Sequence, residues 1–119
     1  MCGRVVLISD LSAVAQSFGV TDVSLHFLPD RNIHPGRHFP AVIRTGQGNM
    51  PVSFLWGLVP FWAKDPSIGP RLINARAETI AQKPAFQNAF RKRRCLIPAD
   101  GFYEWKKDGA SKKPFRFGL

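Results

Sequence analysis

Cys2 is the first residue of this chain with a distinctive chemistry to offer. Once Met1 is removed, it carries a free α-amine and a thiol on adjacent carbons. Such a 1,2-aminothiol condenses with an aldehyde. The amine forms a Schiff base, and the thiol then closes on the imine carbon to give a five-membered thiazolidine. An α-amine titrates at about 7.7–8.0 and a thiol at about 8.5, so both have a nucleophilic fraction near neutral pH. Cysteine is small enough at position 2 to permit Met1 removal. A second-position cysteine alone is more often accidental than catalytic, so its neighbours must decide.

Three acids stand out by context. Glu104 sits among large aromatics in GFYEW at 101–105. A carboxylate there is partly desolvated and suited to moving protons, though the same pattern also fits a surface Glu on an edge strand. Glu78, near Arg76 and a predicted helix start, suits a capping or ion-pair role. Asp100 before Gly101 reads as a turn residue. Asn74 and Arg76 are two apart, so in an extended segment an amide and a guanidinium face one side and can address one ligand. Arg suits bidentate phosphate contact. Cys95, in the apolar CLIP at 95–98, reads as an inert, buried small hydrophobe. Cys2, Cys95, His26, His34 and His38 lack zinc-type spacing, and no metal site is expected. There is no phosphate-binding glycine loop either.

Short elements must position these residues. Val5 to Ile8 predicts a buried strand, and Ser9 or Asp10 caps a following helix. Its apolar stripe is Leu11, Val14, Ala15 and Phe18, with Gly19 as the stop. Residues 27–40, broken by Pro29, Pro35, Gly36 and Pro40, predict a loop. Strands at 39–44 and 52–58 follow, joined by TGQGN at 45–49. A helical segment is expected from Glu78, and a second helix after Pro84 with Phe86, Ala89 and Phe90 on one face. RKRR at 91–94 reads first as a solvated helix end whose cations complement the dipole. A buried strand at 95–98 comes next. In the strand from Gly101, Phe102, Glu104 and Lys106 share a face, and Asp108-Gly109 turns the chain into a returning strand at 114–119. Phe115, Phe117 and Leu119 alternate there with no polar tail, as in a domain cut before it is finished.

The bulk numbers set the partner class. With 119 residues and 45% hydrophobic content, one small domain is expected. Seventeen Lys+Arg against eight Asp+Glu give a net charge of +9, which points to a polyanion, nucleic acid by default. Ten Phe and three Trp supply core and also surfaces on which bases stack. Two cysteines do not make a disulfide framework, and no run reaches the length of a membrane span. A reducing, cytoplasmic location is the default expectation.

These segments together resemble one family. MCGR at 1–4, Asn32, WGLVPFWAK at 56–64, NARAET at 74–79 and RCLIPADGFYEW at 94–105 look like the SOS-response-associated peptidase (SRAP) family of abasic-site processing proteins. The resemblance implies an α+β fold: a mixed, barrel-like β-sheet with a few short helices. Residues 1–119 would be the N-terminal half to two-thirds of one such domain, with no second domain. It also implies that Cys2, with Met1 removed, forms a thiazolidine crosslink to the ring-opened abasic site in single-stranded DNA. Asn74 and Glu104 would be the other catalytic residues. Arg4 and Arg76 would bind phosphates, and Asn32 and Trp62 would line the DNA groove. No cofactor, metal or membrane is implied. The expected setting is replication-associated and, in a bacterium, nucleoid-associated. The family's catalytic histidine lies in a later motif, and none of His26, His34 or His38 takes its place. Two other readings stay open: a DNA-dependent or autocatalytic cysteine peptidase, and a catalytically incomplete single-stranded DNA-binding fragment.

Overall fold

The computed structural model describes residues 2–21 and 24–118. A four-stranded antiparallel sheet carries the amino terminus. Its strands are β1 (Val5–Leu7), β2 (Asp30–Ile33), β5 (Gly101–Asp108) and β6 (Ser111–Gly118), in the order β2-β1-β5-β6. β3 (His38–Thr45) and β4 (Gly48–Leu55) form a separate hairpin in full register, from His38 opposite Leu55 to Thr45 opposite Gly48. Helices are few and short: α1 (Leu11–Ser17), a 3₁₀ turn at Pro66–Arg71, and α2 (Gln87–Lys92). The mixed α+β expectation is borne out, although the two sheets do not close into a barrel over the described residues.

The core is small, and its buried cluster joins Ala15 of α1 to Val20 and to Val42 of β3, with Phe18 packed against it. Val6, Leu7, Ala15, Val20, Ile33, Ala41 and Val42 are buried. α1 begins as its sequence predicts: the Asp10 side chain accepts from the Ser12 N–H at 2.7 Å, satisfying one free donor of the first turn. Elsewhere large apolar side chains remain at the surface, including Phe61, Trp62, Phe115 and Phe117. The radius of gyration, 15.7 Å, exceeds the roughly 13.5 Å expected for a compact chain of this length. The long axis of 50 Å agrees with that.

Four local expectations are corrected. The 27–40 segment contains β2, because an edge strand needs a partner more than it needs apolar residues. Val5 pairs with Ile33 and Leu7 with Asp30, and only Ile33 of the four strand residues is buried. β4 starts at Gly48 and ends at Leu55, just before Gly57, whose φ of +141° bends the chain out of the strand. No helix starts at Glu78. Residues 77–82 form successive turns, with Thr79 and Ile80 N–H both donating to the Arg76 carbonyl. The 95–98 segment makes one bridge, Leu96 to Val42, and is not a buried strand. Cys95 is exposed there, yet desolvation pushes its thiol pKa up, which keeps it protonated.

Candidate functional site at the amino terminus

Cys2, Gly3 and Arg4 lead into β1 at one end of the sheet. The Tyr103 N–H donates to the Arg4 carbonyl at 3.0 Å, extending the β1–β5 ladder by one residue beyond the Val5–Phe102 pair. Continuing that register puts Glu104 of β5 alongside Gly3. Glu104 is half-buried and lies opposite Phe115 of β6. On the other side, Arg4 Nη1 donates to Asn32 Oδ1, tying the terminus to β2. Cys2 is half-buried, and its Sγ lies 3.7 Å from the Arg4 carbonyl oxygen, a weak thiol contact.

Asn74 arrives from a distant loop. Its Nδ2 donates to the Cys2 carbonyl oxygen at 2.9 Å. The loop is held in place by the aromatic run before it. Trp56 Nε1 donates to the Ile73 carbonyl at 3.3 Å, and the Leu58 N–H donates to the Leu72 carbonyl at 3.1 Å. Between them Gly57 packs against Gly69 so closely that a Cβ would stand 2.8 Å from the Gly69 oxygen. Thus residues 56–58 and 69–73 form a backbone-on-backbone clamp whose output is the placement of Asn74.

The structure therefore brings Cys2, Arg4, Asn32 and Asn74 into one bonded set, with Glu104 on the adjoining strand. Trp62 and Arg76 are exposed. The Trp62 indole reaches only the Pro84 carbonyl, at 3.5 Å, and the Arg76 backbone caps a turn. Neither is hydrogen-bonded to the set around Cys2 among the described residues.

Asp100 does more than turn the chain. Its Oδ2 accepts from the N–H groups of Ile8 and Ser9 at 2.6 and 2.8 Å, and its Oδ1 accepts from the Ser9 hydroxyl. The Ser9 hydroxyl, then the two backbone donors, hold its carboxyl below the usual carboxylate range. This fastens the end of β1 to the entry of β5, so the strand bearing Cys2 cannot slide. The sequence signal was thin, since an Asp before Gly is common in turns and its partners lie more than ninety residues earlier.

Cys2 thus leads into the sheet with the Asn74 amide on its carbonyl and the strand that bears Glu104 alongside. The sequence matches the SOS response associated peptidase (SRAP) family over residues 1–119, and the chain belongs to that family. It is 43% identical over 122 residues to the abasic site processing protein YoaM of Bacillus subtilis, covering 100% of this chain and 54% of that protein. The abasic site processing protein YedK of Escherichia coli is 43% identical over 60 residues, 50% of this chain and 25% of that one. In shape the chain is similar to a Bacteroides thetaiotaomicron protein of known crystal structure, with a TM-score of 0.79 at 25% identity over 97% of this chain and 53% of that one. A phage-related protein of Bordetella bronchiseptica gives a TM-score of 0.73 at 28% identity, with 97% and 54% covered. The chain spans about half the length of the full-length matches among these relatives. No helix among the described residues is long and apolar enough to cross a membrane.

Proposed function

We propose that residues 1–119 form the N-terminal half to two-thirds of an SRAP domain that captures abasic sites in single-stranded DNA through Cys2. The observation that carries this reading is the Asn74–Cys2 hydrogen bond of 2.9 Å, which joins two family motifs across the fold. Hydrolysis of the Met1–Cys2 bond by an aminopeptidase exposes the α-amine. Arg4 and Arg76 hold phosphates on either side of the lesion, an interaction that weakens with salt, and Asn32 and Trp62 line the strand's path. The amine adds to the sugar aldehyde, and the carbinolamine loses water to give the imine. Glu104 carries the proton to the departing hydroxyl, while Asn74 fixes the Cys2 backbone. The thiol then adds to the imine carbon and its proton passes to the nitrogen, closing the thiazolidine. The sum is protein plus DNA minus one water. Proximity supplies most of the advantage, because both nucleophiles belong to one residue.

Names of relatives support the substrate class, since YoaM and YedK are abasic site processing proteins. In a bacterium, a cytoplasmic, nucleoid-associated setting accompanies this reading. Intact mass spectrometry before and after incubation with single-stranded DNA bearing one abasic site tests it. Expected are loss of Met1 and a heat-stable adduct one water lighter than its parts. A chain that has lost Met1 and binds DNA without forming an adduct would be the incomplete binding fragment instead. Cleavage of unrelated peptides, dependent on Cys2 and indifferent to DNA, would favour the peptidase.

A further inference from the structure

The β5–β6 hairpin has a feature that the site above does not use. β5 runs antiparallel to β1, so its C-terminal half points past the end of β1 that carries Cys2. The β1–β5 ladder covers Val5–Phe102 and Val6–Gly101, with the Tyr103–Arg4 bond beside it. β5 and β6 pair with each other all the way out to Asp108 and Ser111. At about 3.3 Å per residue, Lys106 and Lys107 stand roughly 13–17 Å along the strand from the Val5–Phe102 pair. Cys2 is at most about 10 Å from that pair. The lysines therefore stand roughly 3–7 Å beyond Cys2 along the strand direction, about one or two nucleotides at 3.4 Å each.

Register sets Lys106 directly across from Lys113, and Lys107 across from Lys112. Neighbouring strand residues point to opposite faces, so each face of the arm presents a lysine pair. All four are exposed. An ion pair of 2.5 Å joins Lys113 to Asp108 at the turn. Like charges set directly opposite destabilise a ladder, and an anion lying between them reverses the sign. Beside the lysines, an open trough of about 330 Å³ is lined by Glu104, Trp105, Lys106, Phe115 and Phe117. Cations next to exposed aromatic faces suit a strand that offers both phosphates and bases. A second copy paired through the β6 edge would set Lys112, Lys113 and Arg116 against one another, which charge disfavours.

We propose that the β5–β6 arm is a phosphate clamp that grips the DNA strand one or two nucleotides from the residue held at Cys2. The proposal rests on the reading of Cys2 as a DNA-capturing site and adds a second, non-covalent contact to it. The test uses a protein with Lys106→Gln, Lys107→Gln, Lys112→Gln and Lys113→Gln. Surface changes of this kind, away from caps and the core, leave the fold in place, and the two cross-strand pairs can be changed separately. Fluorescence anisotropy with single-stranded DNA, with and without one abasic site, gives affinity against salt. Each lost phosphate contact lowers the salt slope by about 0.7, so two to four contacts lower it by about 1.4–2.8. Binding at low salt weakens at least about tenfold, and each pair variant accounts for part of that.

A control of equal charge changes Arg91, Lys92, Arg93 and Arg94 to Gln on α2 and beyond it, where a smaller fall is expected. Unchanged affinity and slope in the arm variant, with wild-type protein still crosslinking, would overturn the clamp and spare the site. An equal fall from the α2 variant would overturn it too, leaving only a general effect of charge. Wild-type protein that forms no crosslink, yet binds DNA with a slope that falls in the arm variant, would sink the reading of Cys2 and uphold the clamp. Wild-type protein that neither binds nor crosslinks would overturn both.

Discussion

Replacing Gly57 by Ala tests the clamp that delivers Asn74. The new Cβ would lie 2.8 Å from the Gly69 oxygen and 2.9 Å from the Gly69 carbonyl carbon. Both are backbone atoms and cannot rotate away. The residue also has φ of +141°, a conformation that side chains other than hydrogen rarely adopt. Strain of this kind costs about 1–3 kcal/mol, and an overpacked methyl about 1–3 kcal/mol more. A sum of about 2–6 kcal/mol is a large part of the stability of a small domain. The system relieves it by moving the 69–73 segment away by about half an ångström or more, the distance needed to restore ordinary van der Waals contact. That shift lengthens the Trp56–Ile73 and Leu58–Leu72 bonds and draws Asn74 away from Cys2. Urea denaturation should show the stability loss, and crosslinking to abasic DNA should slow further than the unfolded fraction explains. Gly3→Ala is the matched control: nothing lies within 4 Å of its added Cβ, so the free protein should change by less than about 0.5 kcal/mol. A Gly57→Ala protein with wild-type stability and crosslinking rate would refute the clamp.

Other expectations follow from single groups. Asn74→Ala removes the 2.9 Å bond to Cys2 and should cost about 0.5–1.5 kcal/mol in urea denaturation. Its crosslinking rate should fall about 100-fold, the scale of a misplaced reactive group, and an unchanged rate would remove Asn74 from the site. Cys2→Ala should abolish the heat-stable adduct while its α-amine still forms an imine trappable by borohydride; a heat-stable adduct equal to that of wild type would sink the thiazolidine step. Asp100 sets a pH dependence. Its folded-state pKa is depressed, so its contribution is fully present above the ordinary carboxylate range and is lost as pH falls through the folded value. Asp100→Asn should destabilise by about 1 kcal/mol or less at neutral pH, because solvent screens the carboxylate and the amide oxygen still accepts from the same donors. The urea midpoints of variant and wild type should converge below about pH 4, and a gap that stays constant into acid would show that charge is not what Asp100 contributes.

What was legible in the chain divides by the range of the interactions that decide it. Asp10 capping α1, the hairpin turned by Asp108-Gly109 and the alternation along β5 are local, and each was readable from neighbours a few residues away. β2 was not, because Asp30, Arg31 and Asn32 have no strand-like pattern and owe their extension to the β1 edge. Cys95 was misplaced for the converse reason. An apolar run looks buried, yet CLIP finds only one bridge to β3 and leaves Leu96 and Ile97 at the surface. At the site, residue types alone announced the reactivity of Cys2, but not its company. The Asn74–Cys2 bond spans 72 residues and the Asp100 bonds span 91 and 92, distances over which no periodicity carries information. What places Asn74 is the contact of Gly57 on the Gly69 carbonyl, where the absence of a side chain at Gly57 lets one backbone press on another. A glycine in a sequence reads as freedom; here at Gly57 it is the condition for closeness, and through Leu72 and Ile73 that closeness decides where an amide meets the amino terminus.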